Sequence, residues 1–198
     1  MVRRENSSRR HRPSRDPRTR LLVVCGAVRT EPKYLAGLCR AVRNAATVVK
    51  VITCPRDPLS VVKYTIKRRD QARDDYDQVW CVLDVDDFDF AGALALAERE
   101  RIRLAISNPC FEVWLLLHHV HVGTGFADAR AVLEQLKEIV PGYDKTSLRF
   151  EDFAAGTADA VARARKLTDT ETVKGPNPST GMWRLVELIT EPGSSPRP

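Results

Sequence analysis

Two aspartates that follow an apolar run are the residues of this sequence best suited to chemistry. Asp84 and Asp86 come directly after the run at 78–83, with one valine between them. Residues two apart on an extended chain point the same way, so their carboxylates would project together. Such a pair favours a hard cation such as Mg²⁺, which prefers oxygen ligands. Because aspartate is also common in helix caps and turns, a purely structural role for the pair stays open.

A further acid, Glu31, comes shortly after the first apolar run at 21–25. If the first and third strands of a parallel sheet are neighbours, Glu31 faces Asp84 and Asp86 and can serve as an additional metal ligand or as a base. The alternative is structural, because a glutamate at a helix N-terminus interacts favourably with the helix dipole. The sequence alone leaves both interpretations open.

A third polar group closes the fourth apolar run. Ser107, Asn108 and Glu112 are expected at the rim of the site or just behind its ligands, with Asn108 capping a helix that starts at Pro109. Glu112 has a second interpretation, since the apolar residues at 113–117 describe a core helix. The histidines at 118, 119 and 121 indicate a histidine-rich helix end, because no cysteine or carboxylate spacing around them matches a metal site.

Alternating strands and helices would position these side chains. Short apolar runs at 21–25, 47–52, 78–83 and 102–106 predict four buried strands. Helical spacing predicts helices at 31–42, 59–69, 89–101 and from 109 onward, then at 126–139, 157–167 and 179–191. This order indicates an α/β fold: a mainly parallel sheet of about four strands, helices on both faces and extra C-terminal helices. In such sheets the working site lies beyond the carboxyl ends of the strands.

The positive charge of the chain is concentrated at its N-terminus. The first twenty residues contain eight arginines and two acids, which accounts for the whole formal net charge of +6. Residues 1–20 are predicted to be a disordered tail, followed by a folded domain at 21–191 and a loose C-terminus at 192–198. The tail is either a solubilising segment or a basic arm that contacts nucleic-acid phosphates through Arg9, Arg10, Arg12, Arg15, Arg18 and Arg20.

Cysteine content and hydropathy predict where the protein resides. The five cysteines are an odd number and include no pair at a two-residue metal-ligand spacing, so we expect buried free thiols in a reducing compartment rather than disulfides or a zinc site. No apolar run is long enough to span a bilayer, and no apolar segment follows the basic N-terminus as in a secretory signal. We therefore expect a soluble, cytoplasmic protein without a membrane partner.

The sequence resembles the RloB-like family from about residue 18 to residue 190. The longest shared stretch is Ser107-Asn108-Pro109-Cys110-Phe111-Glu112 and its apolar continuation to residue 118. The other matching stretches are Val23-Val24-Cys25, Thr30-Glu31-Pro32-Lys33-Tyr34, Tyr76-Asp77 ahead of 79–88, Tyr143-Asp144-Lys145 and Asn177-Pro178-Ser179-Thr180.

That resemblance implies a TOPRIM-type fold, with a core at about 21–122 and a helical extension at about 123–191. It implies Mg²⁺ (or Mn²⁺) bound by Asp84 and Asp86, a link to restriction–modification loci and phage defence, and often an ATPase partner. TOPRIM enzymes also bind the metal through a glutamate after the first strand. The family usually has Cys-Glu-Gly there, whereas this chain has Cys25-Gly26-Ala27, and Glu31 is the acid that could partly substitute.

The resemblance and the acids together lead to the expectation of a Mg²⁺-dependent nuclease or nuclease-like effector acting on nucleic acid, impaired by the glycine at position 26. The alternative is a non-catalytic module that binds nucleic acid or a defence partner such as an ATPase. A receptor for a nucleotide signal has no specific support in the sequence.

Overall fold

The computed structural model describes residues 18–42, 46–72, 75–85, 90–167 and 174–191. The strands are β1 (Thr19–Cys25), β2 (Thr47–Thr53), β3 (Gln78–Asp84), β4 (Arg103–Asn108) and β5 (Ser179–Thr180). The helices are α1 (Thr30–Val42), α2 (Pro58–Gln71), α3 (Ala91–Arg99), α4 (Glu112–Leu117), α5 (Ala129–Ile139), α6 (Glu151–Ala154), α7 (Thr157–Leu167) and α8 (Met182–Thr190).

The strands form one sheet in the order β2-β1-β3-β4-β5. The first four are parallel to one another, and β5 is antiparallel to β4. The predicted α/β class is confirmed, and the first and third strands are neighbours, which was the condition for Glu31 to face Asp84. Cys25 pairs with Val82, and Asp84 pairs with Ser107. The carboxyl ends of β1, β3 and β4 therefore meet at one edge of the sheet.

Both faces of the sheet are covered, which explains why its inner strands appear in the sequence as continuous apolar runs. Alternate residues of β1 point to opposite faces. Leu21, Val23 and Cys25 pack beneath α1, α4, α5, α7 and α8, and we call this the α1 face. Leu22 and Val24 pack against α2 and α3 on the other side, the α2 face.

The C-terminal part of the chain differs from the prediction. Ser179 and Thr180 do not begin a helix but form β5, which pairs with the end of β4. Gly181 continues this connection by donating from its backbone nitrogen to the carbonyl of Ile106 at 2.8 Å, and α8 begins only at Met182. Pairing with a distant strand thus outweighs the weak local preference of a Ser-Thr-Gly segment. The short helix α6 was not predicted.

The predicted helix cap at Asn108 is wrong. Asn108 is the last residue of β4, where it pairs with Ser179, and its Nδ2 donates to the carbonyl of Gly175 at 3.0 Å. A turn follows, and α4 begins at Glu112. The side chain that was expected to cap a helix is therefore used to hold a segment from the far end of the chain.

The folded part begins slightly earlier than predicted. Thr19 and Arg20 are the first residues of β1, and the Arg20 backbone nitrogen donates to Asp77 Oδ2 at 2.7 Å. All five cysteines are free thiols, as predicted, with Cys39 half-buried and the other four buried. Within the described ranges, no helix is long and apolar enough to cross a membrane.

Candidate functional site

A small cavity of about 80 Å³ lies at the carboxyl ends of β1 and β3. Two of the acids singled out in the sequence line it: Glu31, in the first turn of α1, and Asp84, the last residue of β3. The third predicted acid, Asp86, lies outside the described residues. The rest of the lining comes from Gly26, Ala27, Arg56, Pro58 and Leu83.

Strand pairing in the sheet explains why both acids line one cavity. Asp84 shares the face of β3 that carries Trp80 and Val82, so its side chain lies on the α1 face. Because β1 pairs directly with β3, the connection that leaves β1 and enters α1 passes beside the end of β3. Glu31, only 1% exposed in that first helical turn, thereby lines the same cavity as Asp84.

The pKa of the buried Cys25 thiol depends on both carboxylates. Burial raises its pKa well above the usual value, and the negative charges of Glu31 and Asp84 raise it further. Both carboxylates therefore lie near enough to the end of β1 to act on its thiol.

Arg56 also lines the acidic cavity, and the sequence reasoning missed it. It follows β2, and its backbone nitrogen donates to the carbonyl of Cys54 at 2.8 Å. Its guanidinium is permanently charged and is of the type that pairs with carboxylate or phosphate oxygens. The sequence feature that could have indicated this role is the position of Arg56 just after the second strand, which neighbours β1.

Glu112 forms a second charged group close to Asp84. Its side chain is 3% exposed, with Lys145 Nζ at 3.0 Å from its Oε1, and the Tyr143 hydroxyl donates to the same oxygen at 3.2 Å. Burial alone would lower the pKa of Lys145, but the charge and hydrogen bond of Glu112, together with the charge of Asp84, raise it overall. Burial raises the pKa of the Cys110 thiol most, and the negative charges of Glu112 and Asp84 raise it further.

Ser107 and Asn108 support the site rather than line its cavity. The Ser107 side chain is fully buried and its hydroxyl lies 2.9 Å from Thr180 Oγ1. Its carbonyl accepts a hydrogen bond from the backbone nitrogen of Val85 at 2.9 Å, which extends the pairing of β3 with β4 past Asp84. Together with the Asn108 bond to Gly175, these contacts fix the strand end that carries Asp84.

His118, the first histidine after α4, belongs to the core. His118 lies between the Tyr34 hydroxyl, 3.0 Å from its Nε2, and the Trp114 carbonyl, 2.9 Å from its Nδ1. Burial lowers the pKa of His118 to about 4, so the ring is neutral at physiological pH. Among the described residues, no three His, Cys, Asp or Glu side chains are grouped so that they could hold a metal ion.

Of the arginines proposed to bind nucleic acid, only Arg18 and Arg20 lie in the described part of the chain. Arg20 forms an exposed ion pair with Asp75 at 2.8 Å. A phosphate would therefore have to compete with that carboxylate. Arg9, Arg10, Arg12 and Arg15 lie outside the described residues, so their predicted role stays a prediction.

Comparison with known proteins gives one match. A family model described as RloB-like protein matches residues 21–189, from β1 to α8. No curated protein and no solved structure matches the chain. The match covers the acidic cavity, the Glu112 group and β5.

Proposed function

Because the chain belongs to the RloB-like family, we propose that it is a TOPRIM-like, Mg²⁺-dependent nuclease or nuclease-like effector acting on nucleic acid in prokaryotic anti-phage defence. The observation that carries the proposal is the cavity shared by Glu31 and Asp84. It lies where parallel sheets bind their ligands, beyond the carboxyl ends of the strands. The parallel β2-β1-β3-β4 layer with helices on both faces is compatible with a TOPRIM-like core.

The donors of the cavity suit Mg²⁺. Proteins commonly hold this ion through one or two carboxylates together with water, and two carboxylates line the cavity. Burial is the main cause of the raised pKa of the Cys25 thiol, and the charges of Glu31 and Asp84 raise that pKa further. Glu31 and Asp84 would hold the ion, with Asp86 as a further ligand suggested by the sequence. Mn²⁺ shares the preference for oxygen ligands and is the natural substitute.

Bound there, the ion would polarise the scissile phosphate and lower the pKa of the attacking water. The chain's own cations would draw in the nucleic acid. Arg56 in the cavity and Lys145 beside Asp84 both provide positive charge for phosphate oxygens. Glu112 orients the Lys145 ammonium through their 3.0 Å contact. Gly26 has no side chain with which to bind the ion or orient water, so turnover is expected to be weak.

Titration with Mg²⁺ and Mn²⁺ tests the proposed ion site. We expect Asp84→Asn to weaken binding by about tenfold or more, since even the loss of a residue behind a metal ligand commonly has that effect. Glu134→Gln is the matched control, because Glu134 is an exposed acid on α5. Equal affinity in all three proteins would exclude Asp84 from an ion site and remove the basis of the proposal.

Replacement of Gly26 tests whether the missing carboxylate limits the site. A Cβ at this position would meet Leu83 Cδ2 at 3.3 Å and the Val82 carbonyl at 3.5 Å, so a small movement of a leucine side chain admits it. Gly26 is not among the residues with positive φ, so a side chain adds no backbone strain there. We expect Gly26→Glu to bind Mg²⁺ more tightly than the native chain, and Gly26→Gln, equal in shape but uncharged, to show no such gain.

Nucleic-acid binding is tested through its dependence on salt. Deletion of residues 1–17 should flatten the slope of log K against log salt by about 0.9 for each duplex phosphate that the deleted arginines neutralise. An unchanged slope would make the basic segment a solubilising tail. Arg18 and Arg20 are kept in this variant because Arg20 belongs to β1.

Arg56 supports a second candidate, a non-catalytic module that binds nucleic acid or a defence partner such as an ATPase. A guanidinium in the acidic cavity can offset the carboxylates without any metal, and position 26 lacks the acid that the family resemblance leads us to expect. The two candidates make opposite predictions for cleavage. Metal-dependent cleavage that disappears in Asp84→Asn favours the nuclease, whereas binding without cleavage that survives Asp84→Asn favours the module.

A further inference from the structure

A second cavity, of about 540 Å³, lies near the other end of the sheet. Trp80 and Arg103, which pair at the start of the β3–β4 ladder, are part of its lining. Asp84 is four residues further along β3, about 13 Å away at about 3.3 Å per residue. No lining residue is shared with the acidic cavity. The second cavity is therefore a separate site.

Three cations line this cavity, and each lies over an aromatic ring. The distances from cation to ring centroid are 5.7 Å, 5.2 Å and 4.8 Å, respectively, for Arg103 over Trp80, Lys174 over Phe90 and Arg184 over Trp183. Contacts of this kind attract a cation to the ring face and restrict the motion of its side chain. The cations are therefore partly ordered in advance, which reduces the entropy lost when an anion binds.

The charge of Arg103 and Lys174 is what the cavity offers to a ligand. Within the described ranges, neither Arg103 nor Lys174 forms an ion pair with a carboxylate, and Glu98 is the single acid in the lining. Among the described lining residues the cations outnumber the acids, which favours an anion. Guanidinium and ammonium groups are the usual protein partners of phosphate oxygens.

The interior of the cavity is apolar. Leu94, Ala97, Ile102 and Leu104 contribute to its wall between the cations. A volume of about 540 Å³ falls within the range of about 300–1,000 Å³ that is usual for small-molecule pockets. The matching ligand combines a flat, largely apolar ring with phosphates. A bare phosphate would leave the wall uncovered, and an acidic peptide offers carboxylates but no ring.

We infer that this cavity is a binding site for a free nucleoside phosphate, separate from the acidic cavity. The base packs on the wall formed by Leu94 and Ile102, the phosphates contact Arg103, Lys174 and Arg184, and Glu98 accepts a hydrogen bond from an amino or hydroxyl group of the ligand. The site requires no divalent cation, because the protein itself provides the positive charge.

Titration of the full chain with ATP and GTP in the presence of EDTA tests this site, with tryptophan emission as the readout because Trp80 and Trp183 lie under two of the cations. We expect at least one of the two nucleotides to bind, and binding to weaken by about tenfold for each cation removed in Arg103→Ala and Lys174→Ala. Lys63→Ala on α2 and Arg130→Ala on α5 are matched controls at exposed positions and should bind as the native chain does. Asp84→Asn should also retain binding, whatever the fate of the proposed ion site.

Other ligands distinguish the nucleotide from rival occupants. Inorganic tripolyphosphate and adenosine should each bind much more weakly than ATP, because each supplies only half of the recognised chemistry. Equal binding of tripolyphosphate and ATP would overturn the inference in favour of a simple anion patch. Binding of a single-stranded oligonucleotide or a poly-glutamate peptide through Arg103 and Lys174, without binding of ATP or GTP, would overturn it too. If the Arg103 variant does not fold, the exposed Lys174→Ala variant alone decides the outcome.

Discussion

The two faces of the sheet bury different kinds of side chain. Among the described residues, the α2 face buries one polar side chain, Thr65 of α2. On the α1 face, helices α1 and α4 bury the carboxylates of Glu31 and Glu112, and His118 is buried directly after α4. The hydroxyls of Ser107 and Thr180 are buried on the same side. Both the covering helices and the strand ends contribute to the difference, because Ser107 belongs to β4 and Thr180 to β5.

That difference distinguishes a largely apolar face from the face that carries the proposed site. Burial of an apolar side chain stabilises the fold by about 1.5–3 kcal/mol, and most of the α2 face consists of such burial. Buried polar and charged groups oppose folding unless they are hydrogen-bonded or paired. These groups are concentrated around Asp84 and Glu112, on the face that carries the proposed site. Substitutions on the two faces should therefore have unequal effects.

The largest expected effect is at Gly156, between α6 and α7 on the α1 face. A Cβ at this position would lie 2.1 Å from the carbonyl oxygen of His118, so backbone must shift to admit it. We expect Gly156→Ala to lower the free energy of unfolding by about 3 kcal/mol, the upper end for overpacking. Urea denaturation measures the change.

Gly92 in α3 provides the matched substitution on the α2 face. Its Cβ would meet Leu59 Cδ2 at an ordinary 3.7 Å, so Gly92→Ala should stabilise the protein by about 0.5 kcal/mol through the lower entropy of the unfolded chain. Similar free energies of unfolding for the two variants would contradict the proposed difference in packing.

The next effect is a loss of stability in acid caused by His118. Burial lowers its pKa to about 4 in the folded protein, whereas an unfolded histidine titrates near 6.5. As the pH falls below about 6.5, this histidine binds a proton in the unfolded chain, whereas in the folded chain it does so only near pH 4. The stability that is present above this window is therefore lost within it. Between about pH 7 and pH 5 the native chain should lose about 2 kcal/mol more than His118→Gln.

The control for this titration is His121→Gln, because His121 is exposed. It should follow the native chain at every pH. If His118→Gln followed the native chain too, the lowered pKa of His118 would have no part in acid unfolding.

A smaller loss in the free energy of unfolding is expected when Lys145, which contacts Glu112, is replaced. Lys145→Met removes a charged partner from a carboxylate that is 3% exposed, while the Tyr143 hydrogen bond remains. Because the Lys145 side chain is 46% exposed, we expect a loss of about 1.5 kcal/mol, the low end for hydrogen bonds to charged groups. Lys137→Met, at an exposed position of α5, should change the free energy of unfolding by less than about 0.5 kcal/mol.

The smallest change in the free energy of unfolding is expected for a substitution on the α2 face. The Thr65 hydroxyl donates to the Val61 carbonyl at 2.8 Å within the same helix and lies 3.1 Å from Cys81 Sγ. Thr65→Val keeps the shape and removes the hydroxyl, so we expect a change within about 0.5 kcal/mol. On the α1 face, Thr180→Val leaves the buried Ser107 hydroxyl without its partner and should cost about 1–2 kcal/mol. Equal effects of the two substitutions would contradict the comparison.

Much of this architecture follows from local sequence patterns. The runs at 21–25, 47–52, 78–83 and 102–106 are apolar and short, and strands buried on both faces need such runs. Intervening helices force those strands to be parallel, which places their carboxyl ends at one edge. The positions of Glu31 and Asp84 at that edge could therefore be predicted from the order of the runs alone.

Contacts between distant parts of the chain depended on the tertiary structure. Arg56 enters the acidic cavity because β2 lies beside β1, and Lys145 reaches Glu112 across 33 residues of sequence. Asn108 and Ser179 form strand pairs instead of the predicted helices because each satisfies the other's backbone groups. Periodicity and capping rules describe a residue and its near neighbours, whereas these partners are chosen by the packing of whole elements. The sequence thus determined the strands, their direction and the edge that carries the acids, and the tertiary structure decided which cations, hydroxyls and aromatic rings surround them.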